Sequence, residues 1–136
     1  MKTAFPILAT LCVACAPAVA HHAFGGEFDA NRPVLLKGKV TRVEWVNPHA
    51  WIHLEVTKAD GSKEEWMIEG GSPNSLLRHG LNKDSLPAGT EIVVDGYQSK
   101  DESNKMNGRD ITFPDGRKLF VGSAGQQGAP DSKSEK

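Results

Sequence analysis

The alternation of apolar and polar positions predicts strands along most of the chain. Residues 49–57 (HAWIHLEVT) alternate without a break, with Ala50, Ile52, Leu54 and Val56 on one face. His49, Trp51, His53 and Glu55 fall on the other. The preceding stretch, residues 34–46, is long and β-branched and carries Gly38 near its middle, the mark of a strand that bends sharply. Asn47-Pro48 makes the turn between them. Asp60-Gly61 signals a hairpin, so residues 64–69 return as a third strand with Trp66 and Ile68 on one face.

A helix signal then interrupts the strands. Ser72 suits an N-cap, Pro73 the first helical position, Leu76 and Leu77 an apolar stripe, and Gly80 a stop. Residues 86–89 (LPAG) turn into a strand over 90–98, on which Ile92 and Val94 share a face. A polar loop over 99–107 follows, and residues 109–113 and 118–121 flank the turn Pro114-Asp115-Gly116. Three strands, a short helix and two or three further strands predict an all-β fold with one short helix. The layout is that of a small OB-fold-like barrel of five or six strands. Another small barrel, or a sandwich with one helix, satisfies the same pattern.

The two ends read differently. Residues 1–20 combine Lys2, an apolar run and the small-x-small site Ala18-Val19-Ala20, the layout of a cleavable signal peptide. The apolar run is too short for a membrane span, and Pro6 and Pro17 break it. The expected organisation is therefore a signal peptide (1–20), an N-terminal arm (21–33), a β-barrel domain (34–121) and a disordered tail (122–136). The tail has no bulky apolar residue with which to offset its ordering entropy. The mature protein is expected in the periplasm or secreted, with no membrane span after cleavage.

Removing the signal changes the chemistry available. Both cysteines, Cys12 and Cys15, leave with it, so thiolate nucleophiles and cysteine metal sites are excluded from the mature chain. Of 16 basic residues 15 remain, against 17 acidic, a net charge of −2. That balance argues against nucleic acid as a partner.

Several short stretches carry a family resemblance. They are His21-His22 with Phe24, Glu27-Phe28-Asp29, Lys37-Gly38, Val43-Glu44-Trp45 and, most specific, Asn47-Pro48-His49-Ala50-Trp51-Ile52. Gly71-Ser72-Pro73-Asn74, Gly96-Tyr97 and Asp115-Gly116-Arg117 continue it. The chain resembles an exported bacterial group known as domain-of-unknown-function family 6152. The resemblance implies export and a small β-rich fold, and it supplies no activity. Leu81 departs from it, since a Trp is expected after Gly80; if that aromatic lines a site, the site is altered here.

The sharpest candidate chemistry is the new N-terminus. Cleavage after Ala20 makes His21 the first residue, and its α-amine, with an unperturbed pKa of about 7.7–8.0, can yield its proton to a metal near neutral pH. Amine and imidazole Nδ1 then chelate one ion, and His22, His49 or His53 supplies a third nitrogen. Nitrogen donors in that arrangement favour copper. Cleavage after Ala18 instead places His21 third, which is another Cu(II) chelate. The competing reading is that two histidines begin a free arm and touch nothing. His49 and His53 stand about 13 Å apart on one strand and cannot share an ion without a bend.

A second candidate is a ligand or partner face formed by Trp45, Trp51 and His53. Aromatics on the face of an OB barrel hold a peptide, a saccharide or a partner protein. Trp66 is read as core. Glu44, Glu69 and Asp95 offer carboxylates without a fixed spacing, and no nucleophile elbow, phosphate loop or zinc-enzyme motif is present. The chain therefore reads as a non-enzymatic binding protein. Its expected ligand is a metal ion, copper first, at His21, His22 and His49; an unidentified periplasmic ligand or protein is the alternative.

Overall fold

The longest element, β1 (Phe28–Glu44), is shared between two partners. The computed structural model that shows this describes residues 24–123. From Phe28 to Lys39, β1 pairs antiparallel with β4 (Glu91–Ser99). From Lys39 to Glu44 it pairs antiparallel with β2 (Trp51–Thr57). Gly38 sits at the handover. A Cβ there would lie 2.3 Å from the Glu55 carbonyl oxygen, so glycine is what lets β2 approach. The register shift that accompanies the bend falls between Val40 and Arg42.

Strand β2 pairs antiparallel with β3 (Lys63–Glu69) through the expected hairpin, where Gly61 adopts φ 84° and Asp60 Oδ1 accepts from Ser62 N at 2.8 Å. β4 pairs antiparallel with β5 (Lys105–Thr112), and β5 with the short β6 (Lys118–Phe120). The last pairing is parallel: Met67, Ile68 and Glu69 of β3 run beside Lys105, Met106 and Asn107 of β5. Five strands thus close in the order β1-β2-β3-β5-β4, with β6 added outside β5. This is the expected OB-fold-like arrangement.

The helix α2 (Pro73–Arg78) lies between β3 and β4 as expected, and Ser72 caps it by accepting from Ser75 N at 3.2 Å. Its stripe is narrower than expected. Leu76 is buried and Leu77 is 52% exposed, because adjacent helical residues cannot share a face. The core takes in Val40, Ile52, Leu54, Trp66, Ile68, Ile92, Val94, Met106 and Ile111. Leu81 is a core residue too, 1% exposed, so the departure noted after Gly80 falls on a packing position.

Several boundaries differ from the sequence reading. Residues 28–33, expected within the arm, belong to β1: Phe28 is buried and pairs with Ser99, while the polar run behind it is absorbed by a register shift before Pro33. Residues 105–107, expected in a loop, begin β5, because the Asp95/Gly96 register shift places Gly96 opposite Gly108 and carries the ladder on to Met106. A four-residue helix, α1 (Phe24–Glu27), also precedes β1. The expected signal peptide, His21, His22 and residues 124–136 lie outside the described residues. Among the described residues no helix is long and apolar enough to cross a membrane.

Candidate functional site

The parallel seam between β3 and β5 positions a group of polar side chains on the outer face. Glu69 is held on both sides, by Trp51 of β2 and by Asn107 of β5. Its side chain turns outward, opposite in sense to the core residue Ile68, yet it is only 7% exposed. His49, just before β2, places Nδ1 3.1 Å from Glu69 Oε1. The same oxygen accepts from Asn107 Nδ2 at 3.5 Å. Lys105 Nζ stands 6.0 Å from the centre of the Trp51 ring, at the outer limit of a cation–π contact.

The N-terminal segment is tied to this face. Lys105 Nζ donates to Glu27 Oε1 at 2.5 Å, Lys100 N to Glu27 O at 2.9 Å and Ser99 Oγ to the same carbonyl at 3.4 Å. Lys100 Nζ reaches the Gly25 carbonyl. Phe28, the residue after Glu27, is buried and pairs with Ser99. The hydrogen bond to Glu27 holds the Lys105 ammonium above the usual lysine range.

Burial pushes the Glu69 carboxyl up, and the Glu27 charge adds to this, while His49, Lys105 and Asn107 oppose it. A carboxyl whose folded-state pKa exceeds its unfolded one contributes full stability below its ordinary value of 4.5. That contribution is lost as the pH rises through the raised folded value. Glu69→Gln carries no such loss. Its stability relative to the natural protein is therefore expected to improve on going from about pH 4 to about pH 8, read by urea unfolding at both. An unchanged difference would refute the burial argument.

His53 has a different setting. It points away from the core on β2 but is 2% exposed, with Nε2 2.8 Å from Glu44 Oε2 and Nδ1 2.9 Å from Glu65 Oε1. Both ring nitrogens are engaged, and both can donate only in the imidazolium form. The hydrogen bond from His53 leads in holding the Glu44 carboxyl below its ordinary range, with Arg42 assisting at 3.2 Å. His53 thus fastens β1, β2 and β3 together. Replacing it by alanine is expected to cost about 3 kcal/mol, read in a denaturant melt.

Of the residues singled out in the sequence, His49 lies in the seam group and Trp51 flanks it. His53 lies two residues further along β2, in its own clamp. Trp45, just past the end of β1, packs against the core, and Trp66 is buried among core residues. Among the described residues no group of three or more His, Cys, Asp or Glu side chains is arranged to hold a metal ion. Lys105 and Asn107 are not singled out by sequence reasoning, and Glu27 enters there only through the family resemblance. The apolar Met106 between polar Lys105 and Asn107 is the strand signal that points to the first two.

The model of a family of unknown function (DUF6152) matches residues 9–108. No curated protein matches. Among solved structures the chain is similar to the dimeric N-terminal domain of the PriB protein from Thermoanaerobacter tencongensis. The two share 24% identity over 61% of this chain and 96% of that one, with a TM-score of 0.41.

Proposed function

The chain belongs to that family of unknown function, and from the seam geometry we propose that it is an exported binding protein that holds Cu(II) with His49 and the N-terminal histidines His21 and His22. The observation that carries the reading is the tether of residues 25–28 to the face bearing His49. Glu27 contacts Lys105, and its charge is felt by Glu69, the partner of His49. His22 is five residues from Glu27, so at most about 18 Å of extended chain separates them. Signal cleavage after Ala20 frees the His21 α-amine on this same short lead. The described residues offer one imidazole here, and in this reading the remaining nitrogens are those of the N-terminus. Amine and imidazole donors select Cu(II) among the divalent first-row ions.

The aromatic-face alternative has less support. Trp45 packs against the core, and both nitrogens of His53 are engaged.

The test is a Cu(II) titration of protein that begins at His21. A single equivalent is expected to bind, and His49→Ala is expected to weaken it about tenfold or more, since even outer partners of a ligand are worth that much. Unchanged affinity in His49→Ala would remove His49 from the site.

A further inference from the structure

We infer that His53 is a proton-operated latch on the outer face of the barrel. While its ring carries two hydrogens it holds Glu44 of β1 and Glu65 of β3; once it loses one, Glu44 stays and Glu65 swings into water. The two hydrogen bonds leave one ring from its two nitrogens, Nε2 to Glu44 Oε2 at 2.8 Å and Nδ1 to Glu65 Oε1 at 2.9 Å. A neutral imidazole has a single hydrogen, so one of its nitrogens presents a lone pair instead. With both carboxylates in place, that lone pair would face a negative oxygen. The His53 side chain is 3% exposed, so little water is there to screen the conflict. One carboxylate then has to move.

Which one moves is set by their other partners. Glu44 has a second cation, with Arg42 Nη1 3.2 Å from its Oε1, and Arg42 is the ladder partner of His53 on β1. Glu44 is therefore held at the ring even without the imidazolium charge. Among the described residues His53 is the one side-chain partner of Glu65, whose own side chain is 57% exposed. Rotation into water is open to it, and the hydrogen left on the ring then sits on Nε2. The other charged groups nearby are already engaged. Glu55 of β2 lies between its ladder partners Lys39 and Glu65 and pairs with Lys63 Nζ at 3.0 Å. On β3 the ladder partner of His53 is the apolar Met67, and beyond it Lys105 of β5 is bonded to Glu27. The backbone ladder between β2 and β3 is untouched, so the switch releases one side-chain tie and leaves the fold.

The test uses metal-free protein labelled with ¹⁵N-histidine and ¹³C-glutamate, taken upward from about pH 5.5, above the ordinary carboxyl range. At the start, long-range ¹H–¹⁵N spectra are expected to show hydrogens on both His53 nitrogens, and nuclear Overhauser contacts should join the ring to the side chains of Glu44 and Glu65. As the ring titrates, the Glu65 contacts are expected to be lost with the same midpoint. The Glu44 contacts should persist, with the remaining hydrogen on Nε2. Glu65→Gln is expected to keep its contact throughout, because an amide can turn its N–H₂ toward the bared Nδ1. Four results in the natural protein would each overturn the inference: a ring that is neutral from the start, a ring that keeps both hydrogens until the barrel unfolds, titration with the Glu65 contacts intact, or loss of Glu44 in place of Glu65. Loss of the contact in Glu65→Gln at the same pH as in the natural protein would overturn it as well, since the release would then not depend on the carboxylate.

Discussion

One extra residue in front of His21 is expected to weaken Cu(II) binding by about a hundredfold or more, because losing even an outer-shell partner costs about 10–100-fold. An added methionine turns the α-amine into an amide, whose nitrogen has no lone pair to offer at neutral pH. It also removes the chelate ring that the amine forms with the imidazole of the same residue. The barrel itself should not respond. Residues 25–28 keep their contacts with Lys100, Lys105 and Ser99, so the melting temperature of metal-free protein stays where it was. Competition titration against a chelator of known affinity reads the effect. Equal affinity with and without the extension would exclude the terminal amine. A mature chain beginning at Val19 is a distinct case, since His21 in third place chelates copper with its own backbone and needs nothing from His49.

The second large effect concerns the strand that both halves of the barrel share. Gly38→Ala is expected to lower stability by about 3 kcal/mol, at the upper end of what overpacking costs. The new methyl would sit 2.3 Å from the Glu55 carbonyl oxygen, and a ladder carbonyl cannot swing aside as a side chain can. At about 4–8 °C per kcal/mol for a domain of this size, the melting point falls by more than about 10 °C. Gly26→Ala is the control: nothing lies within 4 Å of the added carbon, and no loss is expected. Gly96 repeats the logic next to the seam, where a Cβ would come within 2.0 Å of the Asn107 carbonyl oxygen.

Much of the barrel was legible in local pattern. The alternation of residues 49–57, the two glycine-bearing hairpins and the Ser72-Pro73 helix start are rules of neighbouring residues, and each holds in the structure. β5 was harder to read: its ladder shifts register opposite Gly96, which disrupts the period near Gly108 and makes Lys105 and Asn107 look like loop. Val46 was read as strand, but β1 ends at Glu44 and Val46 is 49% exposed. In the candidate site, His49 and the carboxylate of Glu69 were both visible as chemistry. Their pairing was not, because it depends on the β2–β3 register that sets Trp51 beside Glu69 and on the path of the chain just before β2, where His49 lies. His53 shows the converse. Its place on a polar face suggested an open ligand position, whereas carboxylates from two neighbouring strands close over it.

Paramagnetic broadening by one equivalent of Cu(II) reads the location of the ion without reference to affinity. The amide resonances of His49, Trp51, Glu69, Lys105 and Asn107 should disappear together with those of the first mature residues, while β6 and the Asp60-Gly61 turn stay sharp. Broadening confined to the N-terminal residues, with the seam untouched, would mean that the terminal histidines bind copper on their own and that His49 takes no part.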